Sequence, residues 1–309
     1  MSMLRSLVRA LGMSTLAGLA LWVVVAAVAL AVDEPALDLV AVLLLFGQLV
    51  VVPLGLRLLR LDGGRLATAL VRGAWFGWRL AAVAAIVALA IPAGELSAAV
   101  AAITLLPALA LGLAALLSLP AALRDPVRLG HAAAAGFLVV GALFFVLHRE
   151  GGAWAGVEPR IVQLTAVHFH VAGFGLAIVA AELARRARRM GTAAVVLLIA
   201  GMAITATGFL TVPAVQATGA VLTAASLLLV SIGTASVRAR TTPGTANAAL
   251  RISAASGFAV AGLALLYALT EAAGQPVIDV PTMAATHGVL AAIGVVGAGL
   301  VGWRLAGDR

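Results

Sequence analysis

Three of the five histidines in this chain lie in apolar stretches. His168 and His170 stand in Val167-His168-Phe169-His170-Val171-Ala172-Gly173-Phe174, and His287 in Thr286-His287-Gly288. An imidazole titrates near neutral pH, donates or accepts a hydrogen bond, and ligates Fe, Cu or Zn through a ring nitrogen. Ionisable side chains at membrane depth are costly, so by default they mark a site. Cysteine and lysine are absent, which excludes thiolate sites and disulfides. Any metal must take His, carboxylate or backbone ligands.

The elements that carry these residues are set by composition. With 63% hydrophobic and 10% charged residues and a mean hydropathy of +1.16, the chain is not a soluble domain, whose apolar content is nearer half. A membrane-spanning helix needs about 20 mostly apolar residues. Ten such stretches occur, at 14–32, 38–58, 73–93, 97–118, 130–148, 163–184, 191–211, 214–236, 252–272 and 282–305. The expected fold is all-α, a polytopic transmembrane helix bundle forming one domain over 1–309.

The charges orient it. With both termini cytoplasmic, 18 of the 20 arginines fall inside and only Arg149 and Arg160 outside, as the positive-inside rule requires. Eight of the twelve acids fall outside: Asp33, Glu34, Asp38, Glu95, Glu150, Glu158, Glu271 and Asp279. The expected location is the bacterial inner membrane. A net charge of +8 raises nucleic acid as a partner, but the arginines are spread over short loops with no aromatic platform, and that class is excluded. The run Arg185-Arg186-Ala187-Arg188-Arg189 reads as a topology anchor that meets anionic lipid. Arg5 and Arg9 followed by an apolar run ending Ala29-Leu30-Ala31 have the outline of a signal peptide, but the run is long for a signal core, and an uncleaved first helix is expected.

Two helix pairs look alike. Ala132–Gly141 of helix five resembles Ser253–Gly262 of helix nine, and in the helices that follow His168 precedes Gly175, and His287 precedes Gly294, by seven residues. Pairs 130–184 and 252–305 are therefore either a duplication or a chance likeness of helices rich in Ala, Gly, Leu and Val. Helix six enters from outside after Glu158, so His168 and His170 lie roughly 10 Å below that boundary at 1.5 Å per residue. His287 comes at a similar level in helix ten. Residues two apart point about 200° apart on a helix, so His168 and His170 face opposite sides. One of them is the candidate ligand partner of His287, and the repeat favours His168.

Other polar residues are read around this set. Gln163 and Thr286, with Thr165, Thr207 and Gln216, lie on the outer side of their helices, where they can line a polar cavity. His148 and Glu158 can sit at its mouth, whereas His131 starts helix five on the inside, beyond reach. Gly173, Gly175 and Gly288 read as packing residues. Gln48, at mid-depth in helix two, reads as interhelical glue.

The His168-Phe169-His170 string resembles a helix of the haem-copper oxidases, where two such histidines ligate two haems. That likeness covers about ten residues, and the family's adjacent His-His pair and its His near a Tyr are missing; the one tyrosine is Tyr267. Bis-histidine haem b remains open. Over a longer stretch, His168–Phe174 and Met283-Ala284-Ala285-Thr286-His287-Gly288 resemble the bacterial YndJ-like membrane proteins, with the likeness carried by the second half of the chain. Members are sometimes labelled transporters, and the resemblance implies no catalytic residue or substrate.

Three functions follow. One is binding of haem or a divalent metal by His168 or His170 with His287. A second is transport of a small molecule or metal through the same histidines. A third is a structural or assembly role. No Asp or Glu is expected at mid-membrane, so proton coupling would rest on the histidines. The adopted reading is an outward-facing intramembrane histidine site that binds or transports a small molecule or metal, comprising His168, His170, His287, Thr286, Gln163, Glu158 and His148.

Overall fold

The computed structural model describes residues 2–31, 38–152, 154–236 and 243–307. Asp33, Glu34, Arg238, Arg240 and Arg309, used above to orient the chain, lie outside the described residues, as do the side chains of Arg5 and Arg9. The described chain is helical: α1 Ser2–Ala31, α2 Leu39–Leu58, α3 Gly64–Ala90, α4 Glu95–Ala102, α5 Leu105–Ala122, α6 Pro126–Glu150, α7 Pro159–Ala184, α8 Arg188–Phe209, α9 Pro213–Ser236, α10 Pro243–Ala272 and α11 Val280–Gly307. Among the described residues, ten of these are long and apolar enough to cross a membrane. They correspond one to one with the ten predicted stretches.

The fourth stretch differs in detail. The apolar run 97–118 is not one helix: α4 ends at Ala102, Thr104 turns its hydroxyl back onto the Ala101 carbonyl at 2.7 Å, and α5 starts at Leu105 with Pro107 in its first turn. Proline is at home there because the first turn has no intrahelical acceptor for its missing N–H. Hydropathy alone does not register such a break.

Two compact units divide the chain, Met1–Gly175 and Leu176–Arg309. In the first, α5 packs on both α3 and α6, and α2 packs on α1 and α7. α2 is apolar on every side, and its burial follows from that pattern; Val40 to Val52 are all buried. Gly18 of α1 makes this approach close, since a Cβ there would stand 2.1 Å from the Leu49 carbonyl oxygen. In the second unit α8 packs on α9, α9 on α10, and α10 on α11. Small residues allow it: a Cβ on Gly201 would meet Thr223, and one on Gly219 would meet Thr205, all within 2.7 Å.

Three helices widen locally into π geometry: α2 at Gly47–Val51, α7 at Phe169–Leu176, and α11 at Ala284–Gly288 and Leu290–Gly297. Such segments move main-chain bonds on by one residue and leave carbonyls for other donors. In α2 the cause is readable. Val52 N–H bonds the Gly47 carbonyl five residues back, and the next donor in that register would be residue 53, a proline without N–H. The Gln48 carbonyl is left over, and Trp78 Nε1–H of α3 fills it at 2.9 Å. In α11 the Val295 carbonyl accepts the Ser253 hydroxyl of α10 at 2.7 Å. Trp78→Phe should therefore lower stability by about 1 kcal/mol, measured by reversible unfolding in mixed micelles; an unchanged midpoint would show that the Gln48 carbonyl has another donor.

Candidate functional site

His170 is fully buried, and both ring nitrogens are engaged. Nδ1 lies 2.8 Å from the Ala166 carbonyl oxygen of its own helix, and Nε2 lies 3.0 Å from Gln48 Nε2 of α2. A carbonyl only accepts, so Nδ1 carries the hydrogen and Nε2 the lone pair, and the Gln48 amide donates to it. The chain Trp78 → Gln48 and Gln48 → His170 → Ala166 thus joins α3, α2 and α7. Glycines make room for the ring: a Cβ on Gly141 of α6 would stand 2.8 Å from its Nδ1, and one on Gly47 would stand 3.0 Å from its Cβ. A Cβ on Gly173 would meet Phe137 of α6 at 2.8 Å, so this glycine is a packing residue.

His168, two residues earlier, is exposed, with Nδ1 3.0 Å from the Leu164 carbonyl oxygen. The two rings therefore face opposite ways. His287 is half-buried in the second unit, with Nδ1 3.2 Å from the Val260 carbonyl oxygen of α10. All three imidazoles direct Nδ1 at a main-chain carbonyl and present Nε2 as the basic atom. Metal-ligating histidines are oriented in this way. Among the described residues, no group of three or more His, Cys, Asp or Glu is placed to hold a metal ion.

At the start of α2 and α7, Asp38 caps α2 by accepting the Ala41 N–H at 2.8 Å. Its other oxygen pairs with Arg160, which also donates to Gln163 Oε1 at 2.7 Å, while Gln163 Nε2 donates to Asp38 at 3.2 Å. Gln163 is thus a member of an interhelical ion-pair cluster. His148 lies within electrostatic reach of Arg149, Asp38 and Arg160. Glu158 is exposed and precedes α7 without a side-chain cap. The threonines read as cavity-lining turn back on their own helices: Thr165 on Ile161, Thr207 on Ala203 and Thr286 on Thr282, at 2.7 to 2.9 Å. Gln216 packs its backbone against Gly208.

Two charged residues escaped the sequence reading. Arg149, expected on the outer side, is 5% exposed and clamps the α3–α4 connection: Nε donates to Ser97 Oγ at 2.8 Å and Nη2 to the Ile91 carbonyl at 2.7 Å. Glu182 is fully buried near the end of α7, where Oε2 accepts from Arg185 at 2.7 Å and Arg186 at 3.1 Å. Arg186 also lies over the Trp303 ring of α11 at 4.7 Å. The sequence signal was present in the spacing, since arginines three and four residues after a glutamate share its helix face.

A family model described as YndJ-like protein matches residues 42–295. The chain belongs to the YndJ-like family. No curated protein and no solved structure matches it. The matched range takes in Gln48 and Trp78 as well as the three intramembrane histidines, so the family likeness is not confined to the second half of this YndJ-like chain.

Gly141→Ala should destabilise the first unit by about 1–3 kcal/mol through overpacking against His170, and Gln48→Leu by about 1–2 kcal/mol by leaving Nε2 unpaired; unfolding midpoints check both. Asp279, which caps α11, is held below the ordinary carboxylate value of 3.8 by hydrogen bonds from Thr282, its side chain first and its backbone N–H, at 2.8 Å, second. A lowered folded value means that the cap contributes fully above the unfolded value and is lost as pH falls through the folded one. Exchange protection at the Thr282 amide, corrected for intrinsic rate, should hold at neutral pH and collapse only below the ordinary value. Asp279→Ala should abolish it at every pH.

Proposed function

We propose that this YndJ-like protein binds or transports a small molecule or metal at its intramembrane histidines, with the imidazole Nε2 as the recognising atom. The observation that supports this reading is the shared orientation of His168, His170 and His287. In each, a main-chain carbonyl takes the Nδ1 hydrogen and Nε2 keeps its lone pair. An imidazole held in that tautomer accepts a proton, a hydrogen bond or a metal ion without first reorganising. His170 bonds Gln48 through Nε2, which gives it the part of a positioning residue, and His168 of the first unit and His287 of the second are proposed as contacting residues. Gln163, Glu158 and His148 are the proposed surroundings of His168 in the first unit, and Thr286 that of His287 in the second.

The arginine distribution supports cytoplasmic termini, an outward-facing site and the bacterial inner membrane. The proposed repeat of 130–184 in 252–305 draws support from α7 and α11, where π geometry begins directly after His168 and encloses His287. The same tautomer favours a second reading, binding of haem b or another metal through imidazole Nε2.

Reconstituted in liposomes, the protein should show uptake or pH-dependent flux that His168→Ala and His287→Ala reduce at least tenfold. A Soret band or bound metal lost in the same two variants would decide for the second reading. Flux, ligand content and assembly unchanged after removal of all three histidines would refute both readings and leave a structural role.

A further inference from the structure

We infer that the exposed face of α3 around Arg79 is a docking surface for a transmembrane helix of another membrane protein, recognised through a carboxylate of that helix at mid-membrane. Arg79 lies in the interior of α3, roughly 22 Å along the axis from Gly64 and roughly 16 Å from Ala90 at 1.5 Å per residue. Its depth has a second marker. The preceding residue, Trp78, donates to the Gln48 carbonyl at 2.9 Å, and Gln48 stands midway along the Leu39–Leu58 span. Arg79 is therefore carried at the middle of the bilayer, although the sequence alone groups it with the cytoplasmic arginines.

Trp78 is buried, whereas Arg79 faces away from the packed side of α3 and is exposed. The side chains around it are apolar and open as well: Phe76 is 64% exposed, Leu80 62% and Val83 56%. That surface suits hydrocarbon, and the guanidinium in it does not. An arginine stays protonated, and a charge at that depth is costly unless it pairs, faces a bundle interior or lines water. Among the described residues Arg79 has neither a hydrogen bond nor an ion pair, and its guanidinium carbon lies 5.5 Å from the centroid of the Phe76 ring.

Neither this chain nor the headgroup layer supplies the missing anion. The described acids of the first unit, Asp38, Asp62, Glu95, Asp125, Glu150 and Glu158, all stand at helix ends or in connections. The helices packed on α3 bring none to its middle: α5 has no charged residue, α4 has Glu95 at its first position, and α2 has Arg57 in its last turn. In the second unit Glu182 is enclosed and paired, and Glu271 and Asp279 stand at helix ends, so a second copy of the described chain offers no carboxylate at this depth. Headgroup phosphates begin about 15 Å away, half of the hydrocarbon core, which is farther than an arginine side chain extends. Arg72 and Arg65, one and two heptads nearer the inner end on the same face, have that outlet, and Arg79 does not. A carboxylate on a partner helix meets the charge where it stands, through two parallel N–H bonds, and the apolar side chains around Arg79 pack the rest of the contact.

The chain has no cysteine, so a donor dye can be placed on T68C, at the exposed start of α3. Full-length protein in phosphatidylcholine vesicles is titrated with acceptor-labelled leucine–alanine helices of about 22 residues, carrying a central Glu or a central Gln, at mildly alkaline pH. Energy transfer should report roughly tenfold tighter association of the Glu helix than of the Gln helix. R79Q should erase that preference, R79K keep part of it and R72Q keep it all. R79Q takes a charge out of hydrocarbon and should fold as wild type does, which circular dichroism checks. Equal association of the two helices with wild type, or an unchanged preference in R79Q, would overturn the inference. Loss of the preference in R72Q would overturn the mid-membrane assignment. Transfer between labelled copies that R79Q abolishes would overturn the partner in favour of a second copy, and loss of the preference on adding phosphatidylglycerol would overturn it in favour of lipid phosphate.

Discussion

The hydrogen bond from Trp78 to the Gln48 carbonyl is the constraint on which the first unit turns. In hydrocarbon a leftover carbonyl has no water to turn to, and the α2 sequence creates one by placing Pro53 where the π register needs a donor. The donor must come from another helix, which ties α3 to α2. With that backbone held, the Gln48 side chain reaches His170, and the imidazole is fixed in a single tautomer. Gly47 and Gly141 are the room this arrangement needs. One missing N–H thus leads, through the Trp78 and Gln48 side chains, to the orientation of a fully buried histidine.

The second unit meets the same demand differently. Its helices approach through small residues, and their hydroxyls satisfy carbonyls across the contact, as Ser253 does for Val295. Its buried charge, Glu182, is compensated by two arginines of its own helix rather than by a distant partner. A buried carboxylate with one paired arginine would be neutral. Paired with two, it leaves positive charge, so an internal packing solution sets the electrostatics of the end of the unit.

What could be read beforehand depended on how local the cause was. Gln48 was legible as interhelical glue, because a strongly polar side chain in a wholly apolar helix must find a partner, but not as the partner of His170, 122 residues away. The opposed faces of His168 and His170 were legible from helical spacing, whereas which face is buried was not. Arg149 was legible only as an arginine on the outer side, and its contacts with Ser97 and Ile91 reveal the clamp. The break at Ile103 and Thr104 was hidden because both halves are equally apolar.

By itself the sequence determined the number, order and approximate limits of the ten apolar helices. Each spanning helix satisfies most of its backbone within its own segment, so length and hydropathy suffice to find it. Tertiary structure alone decided which carbonyls the π segments leave over, which donors meet them, which histidine is enclosed and where Glu182 finds its counter-charges. Those are pairings between residues far apart in the chain. Their energies depend on distance and burial, and neither exists until the helices have packed.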